Sequence, residues 1–204
     1  LTLDISAKGV YTFSDYTDSG VIRTAAFFNP TQDPYWRNAD GSIDFTTTNG
    51  YWNYGNGRGT AFIPNTLVGA SPLSQLYDNI SYAHSSRFIG RVAADYKVHG
   101  LEALRFNVSA GLDITATDSY NGVRPGSFQA FSDTENLMVG QHTKGRHVSR
   151  STLIEAYLDY NETWGIHNLD MLVGYSWQNN WWSDRDVTYF NVTDEIKLEP
   201  GETA

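Results

Sequence analysis

A two-residue alternation of apolar and polar side chains is the feature of this sequence that most constrains its fold. It is clearest over residues 104–117, where every second residue is apolar: Leu104, Phe106, Val108, Ala110, Leu112, Ile114 and Ala116. The residues between them are polar or glycine: Arg105, Asn107, Ser109, Gly111, Asp113, Thr115 and Thr117. Successive side chains of a β-strand point to opposite faces, whereas a helix would mix the two sets. The segment is therefore predicted to be one long strand.

The same pattern recurs in four other segments, so the chain is predicted to be all-β, with no helix. The predicted strands cover residues 1–14, 86–97, 104–118, 150–161 and 168–179. Short turns join the second strand to the third and the fourth to the fifth. Long loops are predicted over residues 15–85, 119–149 and 180–204.

Strand length and loop asymmetry favour a membrane protein, although the alternation by itself does not say which face is buried. Strands of soluble sheets have roughly 5–6 residues, whereas a tilted strand needs roughly 9–11 to cross a bilayer. Outer-membrane barrels also have short periplasmic turns and long extracellular loops. The predicted fold is thus an antiparallel, long-stranded segment of a transmembrane β-barrel.

In such a barrel the apolar face of each strand contacts outer-membrane lipid, and the polar face lines a hydrated lumen. Four carboxylates fall on that polar face: Asp113, Glu155, Asp159 and Asp170. Five strands are too few to close a barrel, which takes about 8 at least. Residues 1–204 are therefore expected to be one partial barrel domain of a longer protein.

Composition excludes several functions. Fourteen Lys and Arg against 23 Asp and Glu give a net charge of −9, which disfavours nucleic acid as a partner. The chain has no cysteine, so it has no disulfide and no thiolate ligand or nucleophile. No apolar run approaches the roughly 20 residues of a membrane helix.

Aromatic residues in the predicted loops are the candidate ligand-binding groups. Such rings stack on sugar faces, while neighbouring amide and carboxylate groups bond hydroxyls. The candidates are Tyr35, Trp36, Tyr51, Trp52, Tyr54, Trp181 and Trp182. The alternative is that these rings form a small core within the loop or contact a lid protein.

Neither a catalytic nor a metal site is predicted, and no cofactor is implied. The segment 38–44 resembles a calcium loop, but Trp36 occupies the position of the first carboxylate, so an Asp40-Gly41 turn explains it better. His142 and His147 would need a further ligand to bind a metal together. The strand carboxylates are explained by a hydrated lumen, and the chain is not expected to be an enzyme.

Several stretches resemble the SusC/RagA-type TonB-dependent outer-membrane transporters of Bacteroidetes. They are Phe28-Asn29-Pro30-Thr31, Pro34-Tyr35, Asp40-Gly41-Ser42, Ala70-Ser71-Pro72-Leu73, Arg87-Phe88-Ile89-Gly90 through Ala94-Asp95-Tyr96, and the strands 104–113 and 167–176. The resemblance extends over nearly the whole chain. These stretches also occur in the order and spacing of the family.

The resemblance implies part of the wall and extracellular loops of a bacterial outer-membrane nutrient importer. Such a barrel has about 22 strands and an amino-terminal plug, and no plug domain is recognisable in this chain. The family implies three kinds of partner: a TonB complex, a SusD-like surface lipoprotein, and an oligosaccharide or peptide ligand.

Two other functions remain open from sequence. A soluble β-sandwich could bind carbohydrate through the loop aromatics, with its apolar strand faces packed against each other. An all-β glycoside hydrolase would need two carboxyl groups at a suitable separation.

Overall fold

The computed structural model describes residues 1–132 and 137–192. The nine strands of this part are β1 (Thr2–Asp15), β2 (Gly55–Asn56), β3 (Ile63–Pro64), β4 (Asn79–Lys97), β5 (Leu104–Val123), β6 (Phe131–Ser132), β7 (Leu137–Met138), β8 (Gly140–Trp164) and β9 (His167–Val192). The two helices are α1 (Gly20–Phe27) and α2 (Pro72–Tyr77), and short 3-10 helices lie at Thr48–Gly50, Gly59–Ala61 and Phe128–Ala130. The predicted all-β class is confirmed.

The long strands form one five-stranded, mainly antiparallel sheet in the order β1-β4-β5-β8-β9. The pairs β2–β3 and β6–β7 are separate two-stranded sheets. The turn between β4 and β5 is closed by a hydrogen bond from the Val98 amide to the Leu104 carbonyl oxygen (3.0 Å). Gly100 in this turn has φ +85°, a conformation that suits glycine because it has no Cβ.

The prediction that no helix forms is wrong for the first long loop. With eight and six residues, α1 and α2 span about two turns each, too few to show a helical period in the sequence. One signal was present for α2, since Ser71 precedes Pro72 at the first helical position.

Four strands extend beyond the predicted bounds. β4 begins at Asn79, β5 continues to Val123, β8 begins at Gly140 and β9 continues to Val192. The added stretch 140–149 is polar on both faces, so the alternation disappears while the strand continues. Residues 133–136 of the predicted loop 119–149 and residues 193–204 of the predicted loop 180–204 lie outside the described residues.

The chain divides into two compact units. The first, the strand unit, comprises Leu1–Phe13, His84–Asp118 and Arg146–Arg185. The second, the loop unit, comprises the described residues of Ser14–Ala83, of Ser119–Gly145 and of 186–192.

One face of the strand unit is apolar and exposed. Tyr11 of β1 contacts His84 of β4 through a hydrogen bond between the Tyr11 hydroxyl and His84 Nδ1 (2.6 Å), so both side chains lie on this face. Leu3 is 60% exposed, Val173 64% and Tyr175 69%. The exposed apolar side chains that alternate along the strands are Leu1, Leu3, Ile5, Tyr11, Phe13, Phe88, Val92, Tyr96, Phe106, Ile154, Leu158, Leu169, Met171, Val173, Tyr175 and Trp177.

The opposite face of the strand unit is polar and is bonded across the strands. The Arg87 guanidinium of β4 donates two hydrogen bonds to the Asp113 carboxylate of β5, at 3.0 and 2.5 Å. Further cross-strand pairs are Ser85–Thr117, Ser109–Glu155, Ser151–Asn180 and His147–Asp184. These partners alternate with the apolar residues, so the two faces of the sheet differ in polarity, although the exposed Leu172 and Tyr157 lie on the mainly polar face.

The loop unit has a small core in which most buried side chains are polar. Phe62 and Ala70 are its buried apolar residues near the first loop, at 2% and 5% exposure. Thr47, Thr48, Asn53, Ser71, Ser74 and Asp78 are also buried. An unpaired buried polar group costs about 1–3 kcal/mol, and the side chains of this set are hydrogen-bonded except for the Ser71 hydroxyl, which has no partner among the described residues. Within the described residues, no helix is long and apolar enough to cross a membrane.

Candidate ligand-binding loops

The first long loop is an ordered backbone frame, with Tyr35 paired to Tyr51 as an isolated antiparallel bridge. The Trp36 amide donates to the Gly50 carbonyl oxygen and the Trp52 amide to the Pro34 carbonyl oxygen, each over 2.9 Å. The turn between the two sides is held by hydrogen bonds from the Asn38 amide to the Ser42 carbonyl oxygen and from the Gly41 amide to the Asn38 carbonyl oxygen. The frame fixes the positions of the loop's aromatic side chains.

Three of the candidate rings form one cluster with two phenylalanines. The Trp36 and Trp52 ring centroids lie 6.0 Å apart, and Trp52 meets Tyr54 edge to face at 4.6 Å. Phe62 packs edge to face on Trp36 at 5.9 Å, and Phe28 packs on Trp52 at 6.0 Å. This mutual packing supports the interpretation that these rings form a core within the loop.

Trp36 is anchored on several sides. Its indole Nε1 donates to the Thr48 hydroxyl oxygen (3.1 Å), and the Arg58 guanidinium carbon lies 5.3 Å from the ring centroid. Arg58 also pairs with Asp44 at 3.4 Å. The hydrogen bond from the Thr46 hydroxyl is the main cause that lowers the pKa of Asp44. The indole therefore has little freedom to turn toward a ligand.

The tyrosines form a second group. Tyr51 lies 6.0 Å from Tyr35 and stacks on Tyr77 at 6.1 Å with an interplanar angle of 16°. Arg37 lies 5.5 Å above the Tyr35 ring. Burial raises the pKa of Tyr51 above its ordinary value of 10.0. Tyr77 is 52% exposed, so this stack presents a ring to solvent.

Trp181 and Trp182 are not brought to these groups. Both lie within β9, in the strand unit, and not in a loop as the sequence pattern suggested. They are 47% and 67% exposed, and the Arg150 guanidinium carbon lies 5.7 Å from the Trp181 ring centroid. Residues 179–188 do not alternate between apolar and polar side chains, so the sequence does not show that the strand continues through them.

Asp78 is a buried, hydrogen-bonded carboxylate that the sequence pattern did not single out. Its carboxylate is 1% exposed and accepts hydrogen bonds from Ser74 Oγ (2.7 Å) and Asn49 Nδ2 (3.0 Å). Burial raises its pKa, and the hydrogen bonds from Ser74, Asn49 and Ser127 oppose that rise. Its partner Ser74 is local, but Asn49 and Ser127 come from distant segments, so the local sequence does not reveal that Asp78 is buried.

The structure does not bring further metal ligands to the 38–44 segment or to the pair His142 and His147 among the described residues. Asp40 accepts hydrogen bonds from the amide and hydroxyl of Ser42, which supports the turn interpretation of segment 38–44. His142 is buried in the loop unit beside Tyr120, while His147 lies in the strand unit and pairs with Asp184. Among the described residues, no group of three or more His, Cys, Asp or Glu side chains is placed to hold a metal ion.

The fold and loops together define a long-stranded, antiparallel β-protein with elaborated, aromatic-rich connections. No family model matches the chain. The chain is similar to the TonB-dependent receptor SusC of Bacteroides thetaiotaomicron, with 28% identity over 181 residues. The match includes 85% of this chain and 17% of that protein, so the chain spans less than a fifth of its relative's length.

Proposed function

We propose that this chain forms wall strands and extracellular loops of a TonB-dependent outer-membrane importer for glycan or peptide fragments. The observation that supports this most strongly is the strand unit. β9 has 26 residues, of which residues 167–185 belong to this unit. The apolar face of the unit is exposed, while its polar face is bonded across the strands. The similarity to SusC adds support from sequence.

An exposed apolar face of this size is unfavourable in water. Monomeric soluble proteins rarely expose contiguous apolar patches beyond a few hundred Å². Lipid would cover the face at no cost, because the strands already bond each other through their backbones and only the sheet edges need further partners. In this proposal, further strands of the same barrel pair with β1 and β9.

The polar face would line the lumen. Arg87 and Asp113 carry opposite charges and form an ion pair across neighbouring strands. Ser151 and Asn180 are neutral and form a hydrogen bond across neighbouring strands. Fixed, paired polar groups suit the wall of a hydrated channel, since charged groups on the lipid side of a strand cost about 2–4 kcal/mol at the bilayer midplane.

The loop unit would lie on the extracellular side, where the long connections of outer-membrane barrels are found. The loop aromatics Tyr35, Trp36, Tyr51, Trp52 and Tyr54 belong to this unit, and the Tyr51–Tyr77 stack has an exposed ring. The expected partners are a SusD-like surface lipoprotein over the loops, a TonB complex acting through the rest of the protein, and outer-membrane lipid around the strands.

Site-directed spin labels test the proposal at two positions of β9. A label at Val173 replaces an exposed apolar side chain, and a label at Ser176 replaces an exposed side chain of the opposite face. In the native protein in bilayers, oxygen dissolved in lipid should broaden the Val173 signal, and a water-soluble nickel chelate should broaden the Ser176 signal.

The opposite pattern, or quenching of both labels by the chelate alone, would contradict the membrane assignment. A soluble β-sandwich would instead shield Val173 from both reagents, because a second sheet would cover it. The described part of the chain contains only the two-stranded β2–β3 and β6–β7 pairs besides the main sheet, and both belong to the loop unit.

A further inference from the structure

An open cleft of 440 Å³ in the loop unit shares no lining residue with the aromatic clusters among the residues that the structure describes. It is lined by residues of β4, β5 and β8 that belong to the loop unit and by the segment that follows β1. Its polar lining side chains include Tyr16, Asn79, Ser81, Asn121, Gln141 and Thr143. The volume falls within the roughly 300–1,000 Å³ that is typical of ligand sites.

Backbone contacts hold the cleft in shape. The Tyr16 amide donates to the Ser81 carbonyl oxygen over 2.8 Å, so the segment after β1 is fixed beside β4. At Gly122 of β5 a Cβ atom would lie 2.6 Å from Nδ1 of His142 and 3.0 Å from the backbone oxygen of Gln141. Glycine at this position therefore allows β5 and β8 to approach closely at the base of the cleft.

One hydrogen bond orients a key amide. The Ser81 hydroxyl donates to Oδ1 of Asn121 over 2.7 Å. Since this bond uses the carbonyl oxygen of the exposed Asn121 side chain, its NH2 group is directed away from Ser81 and can donate to a ligand. Thr143 is similarly fixed, because its hydroxyl bonds that of Thr188 at 3.0 Å.

The charge of the lining narrows the class of ligand. Asp18 is the charged residue of the lining, and one of its carboxylate oxygens accepts the Gly20 amide (2.8 Å) at the start of α1. Among the described residues that line the cleft there is no Lys, Arg or His, so none of them would neutralise an anionic ligand. A single carboxylate, one oxygen of which already accepts a hydrogen bond, would also bind a cation only weakly.

The lining instead combines neutral hydrogen-bonding groups with one exposed ring. Tyr16 is 56% exposed, and Asn79, Asn121 and Gln141 supply amides that both donate and accept. Ile80 and Val123 add apolar surface. This combination suits a ligand whose rim has hydroxyl groups and whose faces are apolar, which describes a pyranose ring.

We propose that the cleft binds a short segment of a neutral oligosaccharide, with Tyr16 against a sugar face and the three amides bonded to hydroxyls. The assignment differs from the loop aromatics predicted from sequence. It rests on the proposed function only in taking the ligand to be imported cargo.

The test is isothermal titration of the purified native protein in detergent with neutral hexasaccharides: maltohexaose, cellohexaose, mannohexaose and xylohexaose. Hexagalacturonic acid and penta-alanine serve as acidic and peptide probes. We expect at least one neutral hexasaccharide to bind. Tyr16→Ala and Asn121→Ala should each weaken that binding at least tenfold, whereas Tyr16→Phe should retain most of it.

Tyr77→Ala is the matched control, because Tyr77 is a similarly exposed tyrosine of the same unit outside the cleft. It should change affinity less than twofold. The proposal is overturned if no neutral hexasaccharide binds, if penta-alanine or the acidic probe binds instead, or if Tyr77→Ala alone abolishes binding. Unchanged binding in Tyr16→Ala and Asn121→Ala would overturn it as well.

A heat-dependent shift on gel electrophoresis checks each variant for a folded barrel. A protein that shows the shift but fails the titration would contradict the cleft assignment and leave the proposed importer standing. A protein that shows no shift but binds sugar at the cleft would contradict the importer and leave the cleft.

Discussion

The side-chain NH2 group of Asn49 donates to Oδ1 of Asp78 over 3.0 Å and to the carbonyl oxygen of Pro125 over 3.1 Å. Asn49 belongs to the first long loop, and Pro125 belongs to the connection after β5. Asn49 also adopts left-handed backbone dihedrals (φ 53°, ψ 25°), which asparagine tolerates better than most residues. One amide thus ties two connections of the loop unit to a buried carboxylate.

Replacing Asp78 with alanine should loosen this junction. Asn49 and Ser74 would each lose a buried acceptor, at a cost of about 1–3 kcal/mol for an unsatisfied group. We expect amide hydrogen exchange over residues 47–53 and 124–127 to accelerate by about 5- to 150-fold. Asp15→Ala, at an exposed position of the same unit, should leave these rates unchanged. Equal rates in wild type and Asp78→Ala would contradict the assigned role.

The same carboxylate should give the loop unit a pH dependence. Burial raises the folded-state pKa of Asp78 above its ordinary value of 3.8, so the folded state holds the proton more tightly than the unfolded state. Its contribution to stability is therefore fully present below pH 3.8 and is lost as the pH rises through the folded-state pKa.

Comparison with Asp78→Asn isolates this effect. Asp33, Asp40 and Asp44 have lowered pKa values through hydrogen bonds from Tyr35, Ser42 and Thr46 respectively, so their contributions are lost as the pH falls below 3.8. They are present in both proteins and cancel. Hydrogen exchange between pH 3 and 7 gives the free energy of opening of both proteins. As the pH rises, the free energy of opening of wild type should fall relative to that of Asp78→Asn. A flat difference would exclude a raised pKa.

The all-β class was predictable because the apolar residues of each strand recur at every second position. Period two was visible wherever one face is apolar, as in β5 between Leu104 and Ala116. It vanished in the polar extension of β8 and in the extension of β9, where the adjacent Trp181 and Trp182 lie on opposite faces, so both extensions were predicted as loops. The helices α1 and α2 escaped because each is only about two turns long.

The Trp36 ring should act mainly in folding the loop. Trp36→Ala would remove the pairs with Trp52 and Phe62, each worth about 0.5–1.5 kcal/mol beyond buried area. We expect the loop unit to lose about 1–3 kcal/mol, measured by hydrogen exchange over residues 34–54. Trp182→Ala, at a 67% exposed ring of β9, is the matched control and should leave that segment unaffected. A Trp36→Ala protein with unchanged exchange but lost ligand binding would instead favour a direct ligand role.

Arginine substitutions in β9 should distinguish its two faces. Val173→Arg places a charge on the exposed apolar face and should cost about 2–4 kcal/mol if that position lies near the bilayer midplane. Ser176→Arg places the same side chain on the opposite face and should cost far less. Urea unfolding of the native protein in bilayers measures both. Equal destabilisation by the two substitutions would mean that the faces do not differ in environment.

The candidate site was less predictable than the fold. Sequence pointed to the loop aromatics, because aromatic and glycine residues are concentrated there, and Tyr35, Trp36, Tyr51, Trp52 and Tyr54 do belong to one unit. It could not reveal the burial of Asp78 or the cleft at Asn121, because each depends on a residue that is distant in sequence. Asn49 lies 29 residues from Asp78, and Ser81 lies 40 residues from Asn121. Trp181 and Trp182 were grouped with the loop only because the strand continuation was hidden.

The most direct test of the account is electrophoresis of outer-membrane fractions from the native cells, probed with an antibody raised against this chain. Unheated and boiled samples should both contain a band several times heavier than 22.8 kDa, and its mobility should change on boiling as folded barrels require. A band of 22.8 kDa in the soluble fraction, with no change on boiling, would contradict the account.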